Sequence, residues 1–504
     1  MGIQSFYRNL IETFPNLNEA LKTFLNTNDK KFLYFDYNGM LHPCASKVVQ
    51  KYKDMELKNI NRKQMEEEMF KTIREQTIKI IEKINPYFIM FAVDGVAPRA
   101  KQEQQRLRRY KSVIEKKDTR KIFDSNSISP GTLWMKKITE KMKIFIDTEL
   151  RKKYKVLFLD ASIPGEGEHK IINFIKKYNL KNKPKHIIYG LDSDLIVLSL
   201  TTNLDNIYLL REKQFFELKE ENTDKYTDKD DEIDRNLNIL PINKLRNYYW
   251  ENTTNDIKKI IDKQTYLIDI SFLTFFLGND FLPHLKTIST YNDGLNILID
   301  IYNNVLLNVK SSLLYNGRIN MDILLKILKH YVSKEDYYNN KNNDRLKDNI
   351  VMYYQNGWKK RYYDYYLGQN NTENTIKNVC EDYLKTIVWT KQYYFNGKTN
   401  WSHYYKYNFS PCISDIYNYL LDNNINNIYF TNDQPYTQMQ QLMIILPSHS
   451  SYLLPKKYSN LMFNKLKYFY PRRFNLDKVD KYARWKWAPI LPQMNDKIIK
   501  QMVQ

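Results

Sequence analysis

KFLYFD, residues 31–36, is a six-residue apolar run of strand-forming residues that ends in a carboxylate. Three further stretches repeat the pattern: YFIMFAVD (87–94), KVLFLD (155–160) and KHIIYGLD (185–192). Each is an apolar, β-rich run of strand length closed by aspartate. Helical periodicity fills the intervals, over 57–84, over 131–153 and onward from Glu168. Strands that alternate with helices predict an α/β fold, a mostly parallel sheet flanked by helices. Functional groups of such sheets lie beyond the carboxyl ends of the strands, and the aspartates fall there.

Composition sets the outer bounds. The 504 residues leave room for one large core with extensions or for two or three domains. With 42% hydrophobic and 14% aromatic residues, wholesale disorder is excluded. The formal net charge of +21 points to a polyanionic partner, nucleic acid ahead of a membrane surface. Cys44, Cys380 and Cys412 are far apart and lack metal-ligand spacing, as expected of reduced thiols. No run of about 18 apolar residues is present, so no membrane span is expected. The opening MGIQSFYRNLIETFP has no leader-like apolar run, and Phe6 stands where a myristoylation motif takes Ser or Thr. A soluble intracellular protein is the expectation.

Along the chain, residues 1–300 are expected to form the sheet domain, with a polar insertion at 217–237. Residues 301–350, rich in Asn and Lys, are expected to be a connector, and 351–504 a second region rich in Tyr and Trp.

The candidate acids are Asp36, Asp94, Glu166, Glu168, Asp192, Asp194 and Asp280. Glu166 and Glu168 sit in PGEGEHK, a turn feeding a helix; Asp192 and Asp194, two apart after a strand, can face one cavity. So many carboxylates together raise one another's pKa unless cations intervene. Mg²⁺ or Mn²⁺ suits oxygen ligands, and two such ions about 4 Å apart support phosphodiester hydrolysis. Asp160 also ends a strand but is expected to be structural.

The stretch DGVAPRAKQEQQRLRRYKS (94–112) adds opposite charge. Pro98 can open a helix on which Lys101, Gln105 and Arg108 recur at i, i+4 and i+7, with Arg109 at i+8. Arg offers a planar fork to phosphate oxygens and Lys a mobile charge, so this face is expected to bind a terminal phosphate. Taken alone, His42 reads as a polar turn residue and Trp401 as core.

Several long motifs occur in the order found in the XRN family of 5′→3′ exoribonucleases, which the chain resembles. They are MGIQSFYRNLIETFP, FDYNGMLHPCA, FAVDGVAPRAKQEQQRLRRY, FDSNSISPGTLWM, IPGEGEHKI, IYGLDSDLIVLSL and FLTFFLGNDFLPHL, within residues 1–290. Weaker similarity continues through NWSHYYKYNFSPCISD (400–415), LPSHSSYLLP (446–455) and RWKWAPILP (484–492). The resemblance implies a PIN/flap-nuclease-like nuclease domain and a mainly helical second conserved region packed against it. It implies metal binding by the seven acids and a 5′-monophosphate pocket of Lys101, Gln105, Arg108 and Arg109. His42 and Trp401 would stack the leading bases, a contact indifferent to sequence. It further implies a processive, two-metal enzyme that degrades decapped single-stranded RNA to nucleoside 5′-monophosphates. Such an enzyme would depend on decapping machinery and act as a monomer in the cytoplasm, with the nucleus left open and no membrane partner.

Gln4, Ser193 and His403 depart from the family's customary Pro, Ala and Trp. The family's long C-terminal domains and its zinc knuckle have no counterpart, which leads to the expectation of a minimal catalytic unit, cellular or viral. Two alternatives stand beside this one: a flap-nuclease-like DNA exonuclease, and an RNA-binding scaffold without activity.

Overall fold

A computed structural model of the chain describes residues 3, 6–14, 16–25, 29–55, 61–115, 121–178, 184–214, 217, 236–288, 290, 293–343, 350–397, 399–479, 481 and 487–503. Its centre is a seven-stranded sheet of β1 (Glu19–Ala20), β2 (Lys31–Asp36), β3 (Phe88–Ala92), β4 (Lys155–Leu159), β5 (Lys185–Tyr189), β6 (Ile207–Glu212) and β7 (Leu237–Pro241). The spatial order is β1-β7-β6-β5-β2-β3-β4. Neighbours from β6 to β4 run parallel, and β7 pairs antiparallel with both β6 and β1. The four strands expected from sequence are β2 to β5; β6 and β7 extend the sheet on the other side.

Both faces of the sheet are covered, which is why its strands read as continuous apolar runs. Alternation along β2 shows the division. Leu33 and Phe35 join a core with the helices Asn38–Asp54, Arg62–Ile84 and Leu133–Phe145, while Tyr34 joins a larger core on the opposite face. That larger core also takes Tyr383, Ile387 and Trp389 from the helix Glu373–Asn396. The second region therefore shares its core with the sheet instead of sitting apart as a satellite.

Two expectations need correction. The supposed connector 301–350 carries the end of the helix Gly294–Val309 and all of Met321–Val332, whose Ile323, Leu324, Ile327, Leu328 and Tyr331 are buried in the main core. Lys and Asn on the outer face of these helices disguised an apolar stripe at helical spacing. The polar insertion is also shorter than expected at its ends. Glu217 is buried and accepts from Tyr7 Oη (2.9 Å) and Asn18 Nδ2 (2.9 Å), and Leu237 opens β7. Residues 218–235, between them, lie outside the described residues, as does Gln4. No helix among the described residues is long and apolar enough to cross a membrane.

Candidate active site

Asp36 is the last residue of β2, Asp94 follows β3 and Asp192 follows β5; these are three adjacent central strands. Parallel pairing in register brings their ends to one edge, because Asp36 pairs with Ala92 and Phe35 with Tyr189. Asp160 follows β4 at the sheet's margin, where it pairs with Lys143 (3.0 Å) and caps Ser162 N (2.9 Å). Position in the sheet thus separates it from the other acids.

The PGEGE turn closes over this edge. Gly165 has φ +107°, a conformation that L side chains rarely adopt. At Gly167 a β-carbon would come within 2.6 Å of Asp36 Oδ1, so the helix Gly167–Lys177 can start against the carboxylates only without a side chain there. Gly167 N donates to Asp94 Oδ1 (2.8 Å) and Asn38 Nδ2 to Asp94 Oδ2 (2.8 Å), which fixes that carboxylate from both sides. One oxygen each from Asp36, Asp94 and Glu168 lies within 4.8 Å of the other two.

Glu166 and Asp280 gather around an ammonium group. Lys101 Nζ lies 2.6 Å from Glu166 Oε2, 2.8 Å from Asp280 Oδ2 and 3.9 Å from Glu168 Oε1. Asp194 opens the helix Asp194–Leu200 and is 2% exposed. The loop bearing Asp192 is held from behind by Arg211 of β6, whose guanidinium donates to the carbonyls of Leu191 and Asp192. The ring of Tyr7, in the N-terminal helix, covers that guanidinium at 4.3 Å. Tyr393, from the second region, donates to Glu166 Oε1 (2.9 Å) and stacks on His169 with ring centroids 3.7 Å apart.

These carboxylates are held against their own chemistry. Burial, and after it Asp94, push Asp36 up to about 8, with Lys101 pulling the other way. Burial and Glu166 hold Glu168 well above the carboxylate range; burial and Asp280 push Asp194 up to about 6. Glu166 rises through burial despite Lys101. Burial would raise Asp280 too, but the Lys101 charge outweighs it and holds the group below its usual value. Burial would lower Lys101, yet Asp280, Glu166 and Glu168 together keep it well above its usual value. A hard divalent cation fits such a donor set: all ligands are oxygen, and the strain among them is the charge repulsion that a cation removes.

The predicted basic helix runs Arg99–Glu115, and its buried cations divide into three groups. Lys101 faces the acids, nearer to them than its place in the expected phosphate face suggested. Arg99 and Arg106 are fully buried clamps onto the C-terminal segment. Arg99 Nε bonds both oxygens of Asp496 (3.0 and 3.1 Å), and Arg106 donates to the carbonyls of Pro492 and Phe469 (2.9 Å each). Arg109, about 12 Å along the helix axis from Lys101, is buried and donates to Asn126 Oδ1 (2.8 Å). Gln105 lies between them, also buried, and Arg108 is exposed.

His42 is half-buried in the helix Asn38–Asp54, six residues beyond Asp36. Trp401 O accepts from Arg99 N (2.9 Å) and Trp401 N donates to Asp433 (2.6 Å), which sets this residue beside the start of the basic helix. His403 is tied to Thr386 Oγ1 (2.8 Å) and set edge-on to Phe430; burial pushes its pKa down to about 3. Tyr393, Asn38, Arg211 and Asn126 carry no sequence signal as strong as the acids. Only Asn38, two residues after Asp36 in FDYNG, was within local reach.

A family model described as the XRN 5′-3′ exonuclease N-terminus matches residues 1–213, and one described as the Xrn1 helical domain matches 254–349 and 327–504. The human 5′-3′ exoribonuclease 1 is 26% identical over 594 residues, covering 100% of this chain and 34% of the human protein. The proteins of the same name from Saccharomyces cerevisiae (24% over 685 residues) and Schizosaccharomyces pombe (26% over 656) align with 100% and 98% of this chain. The chain spans 34%, 43% and 48% of the lengths of these three relatives. With both models matched along most of its length, the chain belongs to the XRN 5′-3′ exonuclease family.

Proposed function

We propose that the chain is a 5′→3′ exoribonuclease that takes single-stranded RNA with a 5′-monophosphate and releases nucleoside 5′-monophosphates one at a time. The observation that carries this reading is the junction at Lys101, where a buried carboxylate cluster meets a helix that also buries Arg109. Carboxylates alone would suit many metal-dependent hydrolases, and a cationic helix alone many polyanion binders. Side by side they suit a phosphodiester that lies a fixed distance from a terminal phosphate. The relatives' names, 5′-3′ exoribonuclease, support the same reaction.

Asp36, Asp94 and Glu168 would hold one Mg²⁺, or Mn²⁺ in its place, with Glu166, Asp192, Asp194 and Asp280 as donors for a second. Bound there, such ions supply an activated water and charge stabilisation for the leaving oxygen. The protein's own part is orientation. Asn38 and Gly167 N fix Asp94, Tyr393 fixes Glu166, and Arg211 fixes the Asp192 loop. Gln105, Arg108 and Arg109 would bind the terminal phosphate, with Lys101 at the boundary between phosphate and metal. His42 and Trp401 would stack the first bases. A pocket made for one phosphate rejects a cap or a triphosphate by size and charge, so the enzyme would act after decapping, in cytoplasmic RNA turnover and as a monomer.

The test is product analysis with Mg²⁺ and a uniformly labelled, 5′-monophosphorylated RNA. Nucleoside 5′-monophosphates should accumulate from the 5′ end from the earliest time points. Internal fragments, or 3′-phosphorylated products, would overturn the proposal.

A further inference from the structure

Arg109 and Asp124 are buried and opposite in charge, yet they do not pair directly. Between them stand two neutral side chains. Arg109 Nη1 donates to Asn126 Oδ1 (2.8 Å), Asn126 Nδ2 donates to Ser450 Oγ (3.0 Å), and Ser450 Oγ donates to Asp124 Oδ2 (2.6 Å). Asp124 is further occupied by Tyr452 Oη (3.1 Å) and by Asn126 N (3.0 Å). Asn126, Ser450 and Asp124 are 3%, 0% and 2% exposed. The relay joins the FDSNSISPGT segment to LPSHSSYLLP, more than three hundred residues later.

A carboxylate bonded directly to Arg109 would spend the guanidinium's charge. An amide holds the group in place without cancelling it. Burial, then repulsion from Arg108, pushes the Arg109 pKa down to about 9, and Asp124 offsets this only in part. Among the described residues, Arg109 Nε, Gln105 Oε1 and Ser127 Oγ are buried without a hydrogen-bond partner. Buried polar groups as a rule take a hydrogen-bond partner from protein, water or ligand.

We propose that Asn126, braced by Ser450, is a positioning residue for end recognition: it orients Arg109 and insulates it from Asp124, so that its charge remains for a phosphate monoester. This rests on the proposed role of the Arg99–Glu115 helix in binding the 5′ end.

Asn126→Asp is nearly isosteric and sets a carboxylate against Arg109. Two measurements follow, both on the full chain in Mg²⁺ buffer: AMP affinity by calorimetry with adenosine as control, and the ratio of kcat/KM on 5′-monophosphate RNA to that on 5′-hydroxyl RNA. Both should fall about tenfold or more. Ser450→Ala, which breaks the brace without adding charge, should lower both by less. Parental values in Asn126→Asp alongside a loss in Arg109→Ala would overturn the positioning role alone. Parental values in Arg109→Ala would overturn the end-binding role of the helix and this inference with it. If Asn126→Asp fails to fold, judged by its Tm, Ser450→Ala decides, and parental AMP affinity there refutes the relay.

Discussion

Around Asp36 the chain buries carboxylates that push one another's pKa upward; around Arg109 it buries a cation whose pKa is pushed down. Opposite charges could have been paired in the fold, and at Lys101 they are, since its ammonium bonds Glu166 and Asp280. At the two far ends they are not. Arg99 and Arg106, on the same helix, offer the contrast: Arg99 is bonded to a carboxylate and Arg106 to main-chain carbonyls. On the proposed function, the difference separates charge that holds the fold from charge kept for a ligand. Leaving a charge uncancelled inside a protein costs stability, so it persists where a ligand later repays it.

The largest expected effect comes from the acidic end. Asp192→Asn with Asp194→Asn should lower cleavage by about a thousandfold or more. RNA binding by gel shift should survive, because the basic helix is untouched. A double variant that cleaves normally would show that these two carboxylates hold no metal needed for cleavage. Tyr393→Phe is the next largest. It removes only the hydroxyl on Glu166 and should weaken Mn²⁺ binding or turnover by about 10- to 100-fold. Mn²⁺ titration followed by electron paramagnetic resonance reads this without relying on activity.

Smaller effects belong to the structural charges. Asp496→Asn leaves Glu103 as the one carboxylate paired with Arg99 among the described residues and should cost about 2 kcal/mol in urea unfolding, with the 5′-end preference unchanged. Acid sensitivity is the smallest per unit of pH. Burial pushes His186 down to about 4 and His403 to about 3, below the unfolded value of 6.5. A depressed histidine contributes stability that is complete above pH 6.5 and is lost as pH falls toward the folded value. Each histidine should add a slope of about 1.4 kcal/mol per pH unit within that window. Urea midpoints of His403→Gln between pH 6.5 and 4 should show a correspondingly shallower slope.

The central strands and their acids were legible because burial on both faces writes itself as an apolar run, and a strand end followed by Asp needs no distant partner. The helix bearing Arg109 was legible for the same local reason. Spacing gave Lys101 a face but not a depth, and only the fold revealed that its ammonium sits among carboxylates. Tyr393 against Glu166 and Ser450 against Asn126 are separated by 227 and 324 residues, so no periodicity could have announced them. The supposed connector was misjudged because Asn and Lys on solvent faces hid the stripe of Ile323, Leu324, Ile327 and Leu328.

The central claim is that one site holds a terminal phosphate and cuts beside it. The most direct measurement uses one RNA sequence bearing a 5′-monophosphate, a 5′-triphosphate or a 5′-hydroxyl, degraded by the unaltered chain with Mg²⁺. Rapid loss of the monophosphate form alone is expected, with the other two slower by about tenfold or more. Equal rates on all three ends would contradict it.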